Sequence, residues 1–237
     1  MKFLIDRRGK RIVKQRISLF AAALLLFPMA FAYRSASREV ILNVPYISQK
    51  GILSTGCELV SATMVLNYYG DAASVEDVVA KTPRSDLIQT ENGLQGCHPA
   101  QSFIGDPNLP NGFGCYAPVV VSVMNTFLSG NRKRAVDLTG TELEKLAGNY
   151  IAKGAPVLVW ATMNMKEPGP GKTWTLTGTG ETFQWIAGEH CLVFVGYSKD
   201  SYYFNDPYDS NGLIAFEKSL VEKRYEALGK QAVAVVG

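Results

Sequence analysis

"STGCELVSATMVLNYYG", residues 54–70, sets a cysteine directly after a glycine and at the head of an apolar pattern. Leu59, Ala62, Val65, Leu66 and Tyr69 fall at helical spacing, and Gly70 follows as a C-terminal stop. The stretch predicts a buried helix that begins at Cys57. Taken alone, Cys57 is most simply a small core residue. A helix N-terminus also offers free N–H groups and a favourable dipole to a thiolate, so the same position suits a nucleophile. Residues far from the helix have to decide between the two.

Upstream, "REVILNVPYISQ" reads as an extended strand, with Pro45 suited to a sheet edge. Downstream, Ser74 and Asp77 form a capping box for a second helix. Residues 82–116 are rich in Gly, Pro and Asn and read as a long surface loop. Pro118 opens a helix that runs to Leu128. "TELEKLAGNYIAKG" is a further helix, boxed by Thr141 and Glu144 and stopped at Gly154. The pattern then changes to strands: "PVLVWATM", "TWTLTG" and "TFQWIA" about a Gly-Thr-Gly turn, "HCLVFVGY" and "SYYFNDP" as a hairpin, then "GLIAFEKS" and "QAVAVVG" around one short helix. Helices first and strands later predict an α+β fold with an antiparallel sheet. With no repeat and no linker after residue 40, one domain over 40–237 is expected.

The net charge of +3 is concentrated at the start. "KFLIDRRGKRIVKQR" carries many Lys and Arg and a single Asp, and the remainder is nearly neutral to slightly acidic. This pattern gives no support to nucleic-acid binding. The apolar run 17–32 follows, ending in the small-x-small triplet Ala30-Phe31-Ala32. Residues 1–32 therefore read as a signal peptide or an N-terminal membrane anchor. The expected location is exported: secreted, or tethered to the outer face of a bacterial cytoplasmic membrane. Contact with the membrane is expected only through that segment. Export implies an oxidising compartment, in which a bridge between Cys97 and Cys115 would close the loop "CHPAQSFIGDPNLPNGFGC".

The chain holds only two histidines. His98 lies in that loop. His190 opens the strand "HCLVFVGY", far downstream of Cys57, which is the arrangement of a Cys-His hydrolase. An adjacent imidazolium would favour the thiolate further, and the pair would titrate as a unit. A third group should orient the imidazole. The next strand offers Asn205 and Asp206, and alternation lets only one of them face His190. Gln49, shortly before the nucleophile, offers an oxyanion donor beside the backbone N–H of Cys57. Each residue alone has a plain structural reading, but the order Gln, Cys, His, Asp joins them. Gly56 leaves the sulfur approachable, and Glu58 and Trp185 are expected at the substrate cleft. Cys191 alternates away from His190 and is expected in the core.

No metal site is expected: Cys97, His98 and Cys115 lack paired zinc spacing, and Asp106, Asp200 and Asp209 form no calcium loop. The fragment "KEPGPGKTW" lacks the first Gly of a P-loop and reads as a turn. No cofactor is implied.

"VPYISQKGILSTGCELVSATMVLNYYG" together with "EHCLVFVGYSKDSYYFNDP", and "FIGDP" followed by "YAPVV", resembles the bacterial papain-fold cysteine peptidases related to bacteriocin-processing, double-glycine peptidases. The resemblance implies a papain-like fold, with the nucleophile helix packed on a C-terminal antiparallel sheet. It implies Cys57 as nucleophile, His190 as general base and acid, Asp206 as orienter and Gln49 as oxyanion donor. The implied substrate is a peptide or protein, and a monomer is expected. Exporter domains of that group carry Asp-Cys-Gly at the nucleophile, whereas this chain has Gly-Cys-Glu, so the likeness is to the stand-alone, exported branch. The alternative reading is a non-catalytic or non-proteolytic module on the same fold, binding peptide or cell-wall material. Retention of all four site residues separates the two.

Overall fold

A computed structural model describes residues 39–128, 130 and 132–237. The expected signal or anchor, 1–32, lies outside the described residues. No described helix is long and apolar enough to cross a membrane.

Among the described residues there are five α-helices: α1 (Cys57–Tyr68), α2 (Val75–Lys81), α3 (Ala117–Leu128), α4 (Leu143–Asn149) and α5 (Lys218–Ala227). The first strands are short: β1 (Val40–Ile41), β2 (Arg84–Ser85), β3 (Ile88–Thr90), β4 (Gly93–Gly96), β5 (Phe103–Ile104) and β6 (Arg134–Asp137). The later ones are mostly longer: β7 (Val157–Thr162), β8 (Gly169–Leu176), β9 (Thr182–Ala187), β10 (Glu189–Tyr197), β11 (Ser201–Asp206), β12 (Gly212–Glu217) and β13 (Ala232–Val236).

The main sheet runs β12-β11-β10-β7-β13-β6, with all pairings antiparallel, and β1 joins the far end of β10. The predicted α+β class is therefore the observed one. Strand alternation divides the core in two. Leu158, Trp160, Cys191, Val193, Val195, Val233 and Val235 face a layer built on α1, α2 and α3. Val157, Val159, Ala161, Leu192, Phe194, Ala232 and Ala234 face the opposite layer, which holds α4 and α5. Burial on both faces explains why these strands are continuous apolar runs although the sheet is antiparallel. Helix α1 is likewise buried nearly all round over Cys57–Leu66, so its sequence shows no polar stripe. Cys191 lies on the α1 side of the sheet, fully buried, as its alternation with His190 required.

Several expectations are corrected. The opening strand shrinks to Val40–Ile41, which stand opposite Tyr197 and Gly196 of β10, with one further bond from the Leu42 N–H to the Val195 carbonyl. Residues 82–116 are not a plain surface loop. They contain β2 to β5 and bury Phe103, Ile104 and Cys115 completely. The Thr141–Glu144 box does not form: the helix starts after Glu142 with no side-chain cap, and the backbone carbonyl of Thr141 accepts from the Tyr225 hydroxyl at 2.8 Å. The Ser74–Asp77 box forms as predicted. "KEPGPGKTW" is not a turn. Its second half opens β8, with a register shift between Pro170 and Thr173.

The Cys97–Cys115 bridge is absent, and all four cysteines are free thiols. Cys97 Sγ meets Ser102 Oγ at 2.8 Å, while Cys115 is fully buried in the α1-side core. The segment is held by other means. The indole N–H of Trp174 donates to the Cys97 carbonyl at 3.0 Å, and that of Trp160 donates to the Cys115 carbonyl at 3.1 Å. Buried N–H and C=O groups so paired, with the parallel β2–β5 contact, fix the loop without a covalent clamp.

β3, β4, β8 and β9 form a second sheet around an aromatic cluster of Phe113, Tyr116, Trp174, Phe183 and Trp185. Tyr116 stacks on Trp185 with ring centroids 5.7 Å apart. This sheet contributes one wall of the cleft described next.

Candidate active site

Three elements end at one place: the N-terminus of α1, the start of β10 and the end of β11. Gly56 caps α1 with φ of 104°, in the left-handed region that glycine adopts without strain. A Cβ there would also come within 3.1 Å of Pro107 Cβ and 3.2 Å of a Leu53 methyl. The turn therefore needs glycine both for its dihedral and for its packing, beyond the open approach to sulfur expected from sequence. Cys57 follows as the first helical residue.

His190 is 2 % exposed and Asp206 is fully buried. His190 Nε2 lies 2.7 Å from Asp206 Oδ1. Because the carboxylate only accepts, Nε2 carries a proton, which leaves Nδ1 as the ring nitrogen free to exchange a proton with a reacting group. Asp206 is itself held: the Tyr208 N–H donates to Oδ1 at 2.9 Å, and Asn211 Nδ2 donates to Oδ2 at 3.0 Å. Burial works to raise the Asp206 pKa. The hydrogen bond and charge of His190, with Asn211 and the Tyr208 N–H, outweigh burial and hold the carboxyl below the usual carboxylate range. Asn205 turns to the other side, where its Nδ2 donates to the Val44 carbonyl at 3.0 Å. Alternation lets only one of the two residues face the histidine, and the packing of β11 makes it Asp206.

A cleft of about 510 Å³ brings Gln49, Gly56, Cys57, Trp185 and His190 together. Glu189, Tyr208, Phe113 and Met163 share its lining and were not expected from sequence. The Tyr208 ring meets the His190 ring edge-on at 6.0 Å. Gln49 is buried, and its Oε1 has no hydrogen-bond partner. Its backbone is fixed by a 2.9 Å bond from its N–H to the Pro207 carbonyl, which ties Gln49 to the residue after Asp206.

The state of Cys57 differs from expectation. Its Sγ donates to Glu58 Oε2 at 3.5 Å and accepts from the Cys191 N–H at 3.3 Å. Burial, then the charges of Glu58 and Glu189, push the thiol well above its ordinary pKa, and the Cys191 N–H opposes them only in part. These surroundings favour the protonated thiol over the thiolate. The dipole argument omitted the two buried carboxylates. Glu58 is fully buried and Glu189 is 8 % exposed. Burial raises Glu58, against hydrogen bonds from its own N–H, the Cys115 N–H and the Cys57 thiol. Burial, and then Glu58, raise Glu189 well above the carboxylate range. Glu58 was expected at the cleft; it lies beneath the thiol instead.

The sequence could have pointed to Tyr208 and Asn211, which lie within five residues of Asp206. Glu189 gave no signal, because a residue beside a strand histidine is expected on the opposite face. It reaches the cleft because β10 begins there, after Gly188 at φ of 84°.

The Peptidase_C39 like family model matches residues 41–233. The chain belongs to this family. Among curated proteins, this C39-like chain is 30% identical over 184 residues to "Uncharacterized protein YvpB" of Bacillus subtilis (strain 168), covering 77% of this chain and 70% of that protein. Among solved structures, it resembles one from Bacillus anthracis assigned to the C39-like peptidases. That match has a TM-score of 0.75 and 26% identity, over 84% of this chain and 98% of the other. A double-glycine motif protease from an AMS/PCAT transporter, solved with its leader peptide, aligns over 84% of this chain and 95% of its own at 16% identity and a TM-score of 0.45. The papain-like architecture implied by the sequence motifs is the architecture of this C39-like fold.

Proposed function

We propose that this chain is a thiol peptidase that cleaves peptide bonds through an acyl-enzyme on Cys57. The observation that carries the reading is the buried His190–Asp206 pair, 2.7 Å apart, in one cleft with a cysteine at a helix N-terminus. The reaction starts from the Cys57 thiol, whose protonated form its surroundings favour. As Sγ attacks the substrate carbonyl, its proton passes to His190 Nδ1. Asp206 stabilises the imidazolium that forms and keeps the ring in its working orientation. The developing oxyanion is met by the Gln49 carboxamide and the backbone N–H at the start of α1. His190 then gives the proton to the leaving amine. Water, deprotonated by the same nitrogen, hydrolyses the thioester. Trp185, Phe113 and Met163 supply apolar walls for substrate side chains. Action outside the cytoplasm rests on the basic, then apolar, then small-x-small N-terminal pattern.

The test is peptide hydrolysis by the full chain against Cys57→Ala, combined with capture by a thiol-directed electrophile. The variant should fold and lose at least about 1,000-fold in turnover, since removing a nucleophile leaves only binding and oxyanion effects. Mass spectrometry should place the adduct on Cys57. Peptide hydrolysis that survives in Cys57→Ala would overturn the proposal.

A further inference from the structure

Two buried carboxylates meet directly beneath the cleft. Glu58 Oε1 and Glu189 Oε2 both approach Gly114: a Cβ on that residue would fall 2.2 Å from the first and 3.3 Å from the second. The backbone here is thus shaped around the acid pair. Glu58 Oε1 accepts from the Cys115 N–H at 2.6 Å, and Cys57 Sγ accepts from the Cys191 N–H at 3.3 Å. Glu189 Oε1 is buried and has no hydrogen-bond partner. Among the described residues, no Lys or Arg pairs with either carboxylate. Two buried carboxylates brought this close repel one another as anions, and a cation between them relieves that repulsion.

One ligand atom each from Cys57, Glu58 and Glu189 lie within 4.8 Å of one another. We propose that these three residues form a Zn²⁺ site, and that an ion bound there takes the nucleophilic sulfur out of use. Zinc fits the donor set better than calcium or magnesium. Those ions seek about six or more oxygen ligands, whereas sulfur with two carboxylates suits a borderline ion that accepts three protein ligands and a water. Zn–S and Zn–O bonds of about 2.0–2.3 Å require the three side chains to draw in by about 1 Å. The Cys115 and Cys191 N–H groups orient two of the ligands from outside, as outer-shell donors do. Cys57 and Glu189 line the cleft, which gives the ion its route in. Binding forms one Zn–S and two Zn–O bonds and breaks the S–H bond. The thiol proton and any proton held by the acid pair pass to buffer, and no electron moves.

The binding part stands apart from the peptidase reading, and its readouts do not use hydrolysis. The reduced, metal-free full chain is titrated with Co²⁺, then with Zn²⁺ in competition. One equivalent of Co²⁺ should give a sulfur-to-cobalt charge-transfer band that is missing in Cys57→Ala. Zn²⁺ should displace the cobalt and block alkylation of Cys57 by iodoacetamide. Glu58→Gln and Glu189→Gln should each weaken Zn²⁺ binding by about 100-fold or more, at or beyond the upper end of what outer-shell changes cost. No band in the native chain, or unchanged affinity in both glutamine variants, overturns the proposal. If the variants fail to fold, X-ray absorption on the zinc-loaded native chain decides. One sulfur with oxygen neighbours is expected; no sulfur, or a second one from Cys115 or Cys191, overturns it.

Discussion

Asp206 gives the sharpest test of how the site is held. Its carboxylate accepts three hydrogen bonds: from His190 Nε2 at 2.7 Å, the Tyr208 N–H at 2.9 Å and Asn211 Nδ2 at 3.0 Å. Asp206→Ala strips the acceptor from all three donors in a site where His190 is 2 % exposed. Breaking one side of such a buried pair costs about 3–5 kcal/mol, a large share of the roughly 5–15 kcal/mol that holds a domain together. Asp206→Asn is the more informative change. Its Oδ1 still serves His190 and Tyr208, and Asn211 can turn its amide to present oxygen. The expected loss is about 1–2 kcal/mol, the difference between hydrogen bonds to charged and to neutral acceptors.

The charge itself has a pH signature. The folded Asp206 carboxyl lies below its ordinary pKa, so the stability it contributes is fully present above the unfolded value, about 3.9. That contribution is lost as pH falls through the lower, folded value. Urea unfolding followed by tryptophan fluorescence should therefore show native protein more stable than Asp206→Asn at neutral pH, with the gap closing below about pH 4. Turnover should fall about 10–100-fold in Asp206→Asn, equivalent to about 1.4–2.7 kcal/mol of lost imidazolium stabilisation. An unchanged stability gap across that pH range, together with native turnover, would refute the assignment of Asp206 as the group that holds His190.

Gly114→Ala should cost about 1–3 kcal/mol or more in thermal unfolding, because its Cβ would lie 2.2 Å from Glu58 Oε1; an unchanged melting temperature would show that the acid pair does not need that space. Trp185→Ala, which removes a side chain 7 % exposed and stacked on Tyr116, should lose about 3–5 kcal/mol of stability and weaken peptide binding. Native affinity and turnover in that variant would remove Trp185 from the cleft wall. Alkylation of the denatured, unreduced chain should add four labels, one to each cysteine, and two labels would restore a bridge.

The class of fold and the main catalytic candidates were legible in the sequence because they depend on local order. The apolar run after Cys57 closed by Gly70, the capping box at Ser74 and the runs of β-branched residues after Pro156 each report their own backbone state. With two histidines in the chain, and one of them opening a strand, His190 was the evident partner for Cys57. Alternation along β11 narrowed its orienting group to Asn205 or Asp206 without choosing between them.

Only the tertiary structure made that choice, by packing Asn205 against Val44 and Asp206 against His190. It also replaced the expected disulfide with buried indole hydrogen bonds, since a loop's clamp depends on what the rest of the chain lays against it. The surroundings of the Cys57 thiol are set in the same way. A helix N-terminus is a local feature and favours thiolate. Burial of the sulfur, then Glu58 from the next position and Glu189 from 132 positions along the chain, all work against that preference. Electrostatics in a low-dielectric interior follow distance in space, and sequence spacing does not report it.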